Sequence, residues 1–305
     1  MLFRSRDVNL ADAADLIAQA VDQGATLVAL PEMFNLLGDR ATLREGAEPL
    51  DGPTQTWAAA RAREHGIHLL AGSMIERAGE DRFNTSCLYA PDGARLAAYR
   101  KVHLFDVSVP GAEFRESATV SAGDEVVVAS AGGFELGLAI CYDLRFPEEF
   151  RAQVRRGATA IALPSAFTAA TGRDHWEPLL RARAIENQCF VIAPDQCGVP
   201  SAGPAWHGHS LILDPWGEVL AEADSLVQHA LDVSQQLEKR RHVLQAMIES
   251  FHAIGYFTDV TAPESAEEPG RPVTVVARRG TEEVAVALPL GDAPVQSVWN
   301  GQAGE

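Results

Sequence analysis

Lysine is almost missing from this chain. Of its 25 basic residues only Lys101 and Lys239 are lysine, and all the others are arginine. A lysine retained against such a bias indicates a position that needs a compact ammonium rather than a forked guanidinium, with chance retention as the alternative. Lys101 is therefore a candidate functional residue.

Positive charge and long apolar runs are also scarce. The formal net charge is −17, with no arginine-rich block to offset it, which disfavours nucleic acids and anionic membrane surfaces as partners. No apolar run approaches the ~18 residues of a membrane-spanning helix, and the first residues lack the apolar core of a secretion signal. The composition predicts a cytoplasmic protein that acts on small molecules or binds protein partners.

Cysteine is rare, and its spacing excludes two common uses. The four cysteines lack the paired spacing of a zinc site and are too few for a disulfide scaffold in 305 residues, so free thiols are expected. His207 and His209 have no third ligand nearby, and we predict neither a metal nor another cofactor. The thiols are Cys87, Cys141, Cys189 and Cys197.

Helical and strand patterns alternate along the chain, which predicts an α/β protein. Asn9 is expected to cap the first helix, and residues 101–124 are expected to be irregular. We predict one domain over residues 1–255, followed by a linker and a C-terminal extension over residues 256–305. Further helices are predicted at 53–65, 175–188 and 234–254, strands at 26–30, 67–73, 83–90, 94–99, 158–163, 189–193, 210–213 and 218–221, and a C-terminal hairpin at Val273–Ala277 and Val284–Leu288.

Cys141 lies where a strand is predicted to turn into a helix. An apolar run containing a glycine ends at Cys141, and Pro147, Glu148 and Glu149 are typical of a helix start. Such a turn lifts a side chain out of the sheet and directs backbone N–H groups toward the same space, where they can hold an oxyanion. The alternative is a buried structural cysteine.

Two carboxylates occupy positions suited to a site. Glu32 follows the predicted strand 26–30, and open α/β sheets bind ligands beyond the carboxyl ends of their strands. Glu116 lies in the predicted irregular segment. In each case a solvated loop carboxylate is the alternative interpretation.

Three motifs in this order resemble the carbon-nitrogen hydrolase (nitrilase) superfamily, and the likeness extends over residues 9–250. They are Leu30-Pro31-Glu32, the segment Tyr99–Phe105 and the segment Gly137–Glu148. The resemblance implies a four-layer αββα sandwich, a fold that usually dimerises. It also implies a Glu, Lys and Cys triad, which falls on Glu32, Lys101 and Cys141.

Further motifs, among them Pro164–Phe167 and Gln188-Cys189, look most like the branch of deaminated glutathione amidase and omega-amidase. This resemblance implies a thiol amidohydrolase that cleaves the amide of a small carboxylate-bearing substrate through a thioester and releases ammonia. An aliphatic amidase, a nitrilase and an N-carbamoyl amino acid amidohydrolase of the same superfamily are alternatives. A non-catalytic binding protein is an alternative of another class. If the site is active, a Cys141 thiolate should be alkylated much faster than the other cysteines.

The chemistry assigns each triad member a role. Cys141 attacks the amide carbonyl, and Glu32 carries the thiol proton to the leaving nitrogen. Lys101 and the backbone N–H of Tyr142 stabilise the oxyanion. The resemblance implies that Glu116 is a second carboxylate that supports the site.

Four more residues are candidates for contact with the substrate. Arg145 can hold a substrate carboxylate by a bidentate pair, unless it is paired internally with Glu148 or Asp143. The aromatic candidates for pocket walls are Phe34, Phe167 and Trp176, and for Trp176 a core position on a helix is the favoured interpretation.

The chain departs from the family in two places. The family opens with a short apolar strand that the residues before Asp7 do not provide, so we expect a vacant position in a sheet. The family core also does not need the tail after residue 255. We hypothesise that a strand of the C-terminal hairpin, such as Val273–Ala277, fills the vacant position or covers the dimer surface.

Overall fold

A computed structural model describes residues 5–109, 112–198 and 205–223, together with the strand segments 231–232, 257–261, 273–279, 282–288 and 296–299. The chain divides into two compact units, residues 1–234 and residues 235–305. The predicted helix 234–254 lies outside the described residues.

Five helices are described. None of them is long and apolar enough to span a lipid bilayer. Two short 3-10 turns, Glu116–Ala118 and Cys141–Arg145, accompany them. The helices are α1 Arg6–Asp22, α2 Arg40–Glu45, α3 Pro53–His65, α4 Pro147–Arg155 and α5 Ala169–Asn187.

The strands of the larger unit form two six-stranded sheets and two small ribbons. In the first sheet β1 and β2 run parallel, with Val28 opposite Leu69. In the second sheet β9, β10 and β11 run parallel. The first sheet contains β1 Leu27–Ala29, β2 His68–Leu70, β3 Met74–Ala78, β4 Asp81–Tyr89, β5 Arg95–Arg100 and β16 Leu231–Asp232. The second contains β8 Val127–Ala131, β9 Phe134–Leu138, β10 Ala160–Ala162, β11 Phe190–Ala193, β14 Leu211–Leu213 and β15 Val219–Glu222. The ribbons pair β6 Asp106–Val109 with β7 Ala112–Arg115, and β12 Cys197–Gly198 with β13 Trp206–His207.

Helices cover the outer face of each sheet. The apolar positions of α1 and α3, such as Ile17 and Ala58, pack with Val28 and Leu69 in one core cluster. Helices α4 and α5 lie against the second sheet, where Phe150 and the apolar face of α5 are fully buried. The two sheets contact each other through β5 and β8. The predicted αββα sandwich is confirmed.

The smaller unit contains a four-stranded antiparallel sheet. Its strands follow the chain order β17 Phe257–Thr261, β18 Val273–Arg279, β19 Glu282–Leu288 and β20 Gln296–Trp299. The segments predicted as a hairpin lie in β18 and β19. Both edges of β18 are bonded to its own neighbours, so Val273–Ala277 does not fill a position in the first sheet. Coverage of a dimer surface by the tail stays a prediction.

The structure corrects four predictions about the elements. The position beside β1 is occupied, because β16 pairs with it antiparallel on the side opposite β2. Ser5, not Asn9, precedes α1, and Asn9 is a buried helix residue whose amide donates to the carbonyl of Asn35 at 2.9 Å. Helix α5 begins six residues earlier than predicted, after the cap Thr168. The segment expected to be irregular contains the β6–β7 ribbon.

Candidate active site

Three strand ends bring the predicted triad to one place between the sheets. Glu32 follows β1, Lys101 follows β5 directly, and Cys141 follows β9. Backbone hydrogen bonds fix the three segments: Lys101 N donates to the carbonyl of Asn84 at 2.8 Å, and Cys141 N donates to that of Pro164 at 3.0 Å. The strand ends of both sheets therefore supply the site.

A buried ammonium lies between two carboxylates. Lys101 Nζ is 3.0 Å from Glu32 Oε1 and 2.9 Å from Glu116 Oε2, and its side chain is 2% exposed. Burial alone would lower the pKa of Lys101, but Glu116 and Glu32 outweigh it and hold the pKa well above its usual range. Lys101 is a permanent cation at the centre of the site, which agrees with its retention in an arginine-rich chain.

Asn84 bridges the same two carboxylates, and sequence reasoning missed it. Its Nδ2 donates to Glu32 Oε1 at 2.8 Å and to Glu116 Oε1 at 3.0 Å. Glu116 Oε2 also accepts the backbone N–H of Phe105 at 2.7 Å. Asn84 begins a run of three fully buried polar residues in the middle of β4, Asn84–Ser86. In the sequence these polar residues lie between Phe83 and the apolar Cys87 and Leu88, and this was the available signal.

The loop after β10 holds the other side of Glu32. Ala166 N donates to Glu32 Oε2 at 2.9 Å, and Gln196 Nε2 donates to the carbonyl oxygen of Glu32 at 3.0 Å. Asp195 Oδ1 accepts the N–H of Phe167 at 2.8 Å and so fixes the same loop. Burial raises the pKa of the Asp195 carboxyl well above its usual range. Glu32 is thus held by side chains and backbone from both sheets.

Cys141 has a backbone conformation that only a few non-glycine residues adopt. Its φ is 48°, and it is the first residue of the 3-10 turn Cys141–Arg145. Burial and the adjacent Glu32 raise the pKa of its thiol well above the usual range, although Lys101 acts in the opposite direction. Burial and Glu32 therefore favour the neutral thiol of Cys141 over its thiolate, and the Glu32 side chain lies beside it.

A cavity of about 610 Å³ opens onto these groups. Glu32, Lys101, Glu116 and Cys141 all line it, and so does Tyr142, the second residue of the Cys141 turn. N–H groups at the start of a helical turn have no partner within the turn, which leaves the N–H of Tyr142 suited to an oxyanion. Other lining residues that sequence reasoning missed include Phe105, Phe114, Thr168, Thr171 and Trp206.

Of the three predicted aromatic walls, only Phe167 lines the cavity. Phe34 is fully buried in the core cluster under α1 and α3, with its ring centroid 5.8 Å from that of Trp57. The intervening Met33 has a φ of 55°, which turns Phe34 away from the side that Glu32 faces. Trp176 is also fully buried, behind Phe167 at a ring distance of 4.9 Å. Phe34 is therefore a core residue and not a pocket wall, whereas Trp176 occupies the core position that was the favoured interpretation for it.

Arg145 lines the cavity without a carboxylate partner among the described residues. Its guanidinium carbon lies 5.8 Å from the ring centroids of Tyr142 and Phe167, and one nitrogen is 3.3 Å from His175 Nδ1. The alternative partner Asp143 is occupied by other donors. Arg145 therefore presents a cation to whatever enters the cavity.

Among the described residues, a ring nitrogen of His103 and carboxylate oxygens of Asp143 and Glu149 lie within 4.8 Å of one another. They form a hydrogen-bonded cluster, in which His103 Nδ1 is 2.9 Å from Asp143 Oδ1. In the pair His207 and His209, His209 Nδ1 lies 2.7 Å from Glu222 Oε1.

A cysteine thiol, a carboxylate beside it and a buried ammonium face one cavity, an arrangement that suits a thiol-dependent hydrolase. The model of the carbon-nitrogen hydrolase family matches residues 3–241, and this chain belongs to that family. It is 48% identical over 221 residues to deaminated glutathione amidase from a Synechocystis strain, covering 70% of this chain and 81% of that protein. It is 38% identical over 239 residues to human omega-amidase NIT2, covering 77% and 87%.

Solved structures agree with this assignment. Nit3 from Saccharomyces cerevisiae, a member of the nitrilase superfamily, superposes with a TM-score of 0.67 at 32% identity, covering 73% of this chain and 83% of Nit3. The chain is therefore an amidohydrolase, an enzyme that acts on carbon–nitrogen bonds other than peptide bonds.

Proposed function

We propose that this enzyme hydrolyses the amide of a small α-keto acid that carries a free carboxylate, with deaminated glutathione as the first candidate. The observation that carries the proposal is Arg145, which has no carboxylate partner among the described residues and lines the same cavity as Cys141, Glu32 and Lys101. The relative at 48% identity is named for deaminated glutathione, which favours that substrate. The relative at 38% identity makes an omega-amide the second candidate.

Acylation begins with the neutral thiol. As Cys141 Sγ attacks the carbonyl carbon, Glu32 takes the thiol proton and then passes it to the leaving nitrogen, so that the C–N bond breaks and a thioester remains. Water then enters, Glu32 takes a proton from it, and hydroxide attacks the thioester. The acid leaves, and the proton returns from Glu32 to the Cys141 sulfur.

The negative charge on the carbonyl oxygen develops next to a cation that is already in place. Lys101 Nζ is held by Glu32 and Glu116 at about 3 Å from each, so it needs no reorganisation during the reaction. The N–H of Tyr142 supplies the second donor. Loss of one such donor costs about 3 kcal/mol of transition-state stabilisation.

Arg145 supplies the specificity for an acid. A guanidinium that lies over two aromatic faces and lacks an internal carboxylate is only partly hydrated, and a substrate carboxylate completes its hydrogen bonds. A cavity of about 610 Å³ is in the usual range for small-molecule sites and accommodates either candidate. The two candidates differ in their leaving groups: an omega-amide releases ammonia, whereas the amides of glutathione are secondary and release an amine.

The test is a substrate panel in which the acid product is quantified together with ammonia or amine. The panel contains deaminated glutathione, 2-oxoglutaramate, succinamate, neutral aliphatic amides, a nitrile and an N-carbamoyl amino acid, with Cys141→Ala as the blank. Preference for an α-keto-acid amide is expected. Activity restricted to neutral amides, nitriles or carbamoyl compounds would contradict the proposed substrate class.

Arg145→Gln tests the carboxylate contact directly. A hydrogen bond to a charged group contributes about 1.5–3 kcal/mol, so KM for the acid should rise about 10- to 100-fold while kcat changes little. A neutral aliphatic amide should show no such rise. Arg181→Gln, which removes an exposed arginine paired with Glu177, is the matched control. An equal effect on acid and neutral substrates would refute the role.

We further propose a cytoplasmic homodimer. The support is the family's usual assembly and the absence of a long apolar run in the sequence. Light scattering on the purified chain would reveal a monomer if the dimer is wrong.

A further inference from the structure

A buried carboxylate that the mechanism does not use ties together the two backbone segments of the site. Asp143 is fully buried, two residues after Cys141. Its Oδ2 accepts the N–H of Ile140 at 2.8 Å, and its Oδ1 accepts the N–H of His103 at 2.9 Å. Asp143 therefore connects Ile140, which directly precedes Cys141, with His103, which lies two residues after Lys101.

Tyr99 and Glu149 enclose this carboxylate. The hydroxyl of Tyr99 is 2.8 Å from Asp143 Oδ2 and 2.6 Å from Glu149 Oε1, and Tyr99 is fully buried. One hydroxyl proton cannot serve both oxygens at once, so the two short contacts require a further proton in the cluster. Burial raises the pKa of Glu149, which is consistent with that requirement.

His103 supplies the positive charge of the cluster. Its Nδ1 lies 2.9 Å from Asp143 Oδ1 and 3.1 Å from Glu149 Oε2, and its ring stacks on Phe146 at 3.7 Å. Burial alone would lower the pKa of His103, but Asp143 and Glu149 raise it to about 9. The titratable groups around it are these two carboxylates, from the Cys141 turn and α4, and Tyr99 and Lys101 from its own segment.

We propose that Asp143, protonated His103, Glu149 and Tyr99 are positioning residues that fix Lys101 relative to Cys141. The described hydrogen bonds of the cluster reach the site through the backbone at Ile140, Val102 and His103, and the Asp143 carboxylate also helps to raise the pKa of Lys101. Loss of the His103 proton removes the cation that lies against both Asp143 and Glu149 and loosens this connection. The proposal rests on the proposed roles of Lys101 and Cys141.

His103→Gln tests the protonation requirement. The wild-type kcat should fall as pH rises through about 9, whereas the variant should have a lower kcat at pH 7 and lack this alkaline step. The control is His209→Gln, because His209 Nδ1 also contacts a carboxylate but the side chain is exposed and outside the cavity. The control should retain the wild-type profile. An alkaline step that is identical in His103→Gln and the wild type would overturn the proposal.

Tyr99→Phe tests positioning without a change of charge. A displacement of about 1 Å in a reacting group can cost about 100-fold, so kcat should fall 10- to 100-fold with KM nearly unchanged. Alkylation of Cys141 by iodoacetamide, measured peptide by peptide, should change in the same variant, and this readout needs no substrate. If the wild type turns over no substrate, the proposed function is refuted, and the alkylation rates still test the positioning role. Unchanged kcat and unchanged alkylation in a variant with altered melting temperature would reduce the cluster to a structural role and overturn the proposal.

Discussion

Replacement of Asn84 removes the hydrogen-bond donor that Glu32 and Glu116 share. Asn84→Ala removes two hydrogen bonds to charged acceptors, at 2.8 and 3.0 Å, each contributing about 1.5–3 kcal/mol. The same change also removes the buried Oδ1 of Asn84, which has no partner among the described residues. Burial of such an oxygen costs about 1–3 kcal/mol, so its removal offsets part of the loss. The free energy of unfolding should therefore fall by about 2–3 kcal/mol.

The effect of Asn84 on activity follows from what remains around Glu32. In Asn84→Ala, Lys101 Nζ and the N–H of Ala166 still hold Glu32, so kcat should fall only about tenfold. Asn84→Asp has nearly the same shape but puts a third carboxylate against the two already present, and an uncompensated buried charge costs about 3–5 kcal/mol. The aspartate variant should therefore be less active and less stable than the alanine variant.

The assay is kcat for the preferred amide together with urea denaturation of each variant. Asn35 provides the matched control, since it is equally buried, its Oδ1 also lacks a partner, and its Nδ2 donates to the neutral Thr54 hydroxyl at 3.0 Å. Asn35→Ala should change the free energy of unfolding little, because loss of one neutral hydrogen bond, about 1 kcal/mol, is offset by removal of the unpartnered Oδ1, and it should leave kcat unchanged. Equal activity of Asn84→Asp and the wild type would refute the assignment of Asn84 as a donor to two charged carboxylates.

Three further predictions concern pH and the cation. Alkylation of Cys141 should accelerate as pH rises from neutral to alkaline, because burial and Glu32 raise the pKa of its thiol. Cys87, whose thiol pKa burial raises to about 12, is the slow internal reference. A pH-independent rate would contradict a resting thiol. Lys101→Arg should lower kcat about 100-fold, because the larger guanidinium cannot occupy the space of the ammonium between Glu32 and Glu116. The circular dichroism spectrum should stay unchanged. Turnover near that of the wild type would show that a compact ammonium is not needed. The pKa of His103 is about 9 in the folded protein and about 6.5 in the unfolded chain. The contribution of His103 to the free energy of unfolding should therefore be complete below about pH 6.5 and should be lost as pH rises through about 9. Denaturation of His103→Gln should lack that decrease, and persistence of the full decrease would assign it to another group.

The sequence predicts the triad through the three motifs that resemble the carbon-nitrogen hydrolase superfamily. Local patterns support it in different ways: Glu32 and Cys141 follow apolar runs at strand ends, whereas Lys101 follows the partly exposed strand β5 and stands out because lysine is rare in this chain. The cluster around Asp143 could not be found this way. Its partners Tyr99 and Glu149 are 44 or more residues from one of their contacts along the chain, and only the packing of two sheets brings them together.

The predictions for Phe34 and Asn9 are wrong because local sequence does not determine which way a side chain packs. Phe34 is two residues from Glu32, and sequence proximity suggested a shared cavity. Met33 between them has a positive φ, and Phe34 packs in the core cluster instead. Asparagine favours cap positions, but Asn9 lies inside α1, where its amide donates to the carbonyl of Asn35.

The central claim is that Cys141 forms a thioester with a carboxylate-bearing amide. Acid-quenched enzyme taken from turnover of deaminated glutathione should show, by intact-protein mass spectrometry, the mass of the acyl group, and peptide mapping should place it on Cys141. The adduct should be missing from Cys141→Ala, which should not turn over. Turnover by Cys141→Ala, or an acyl group on another residue, would contradict the account.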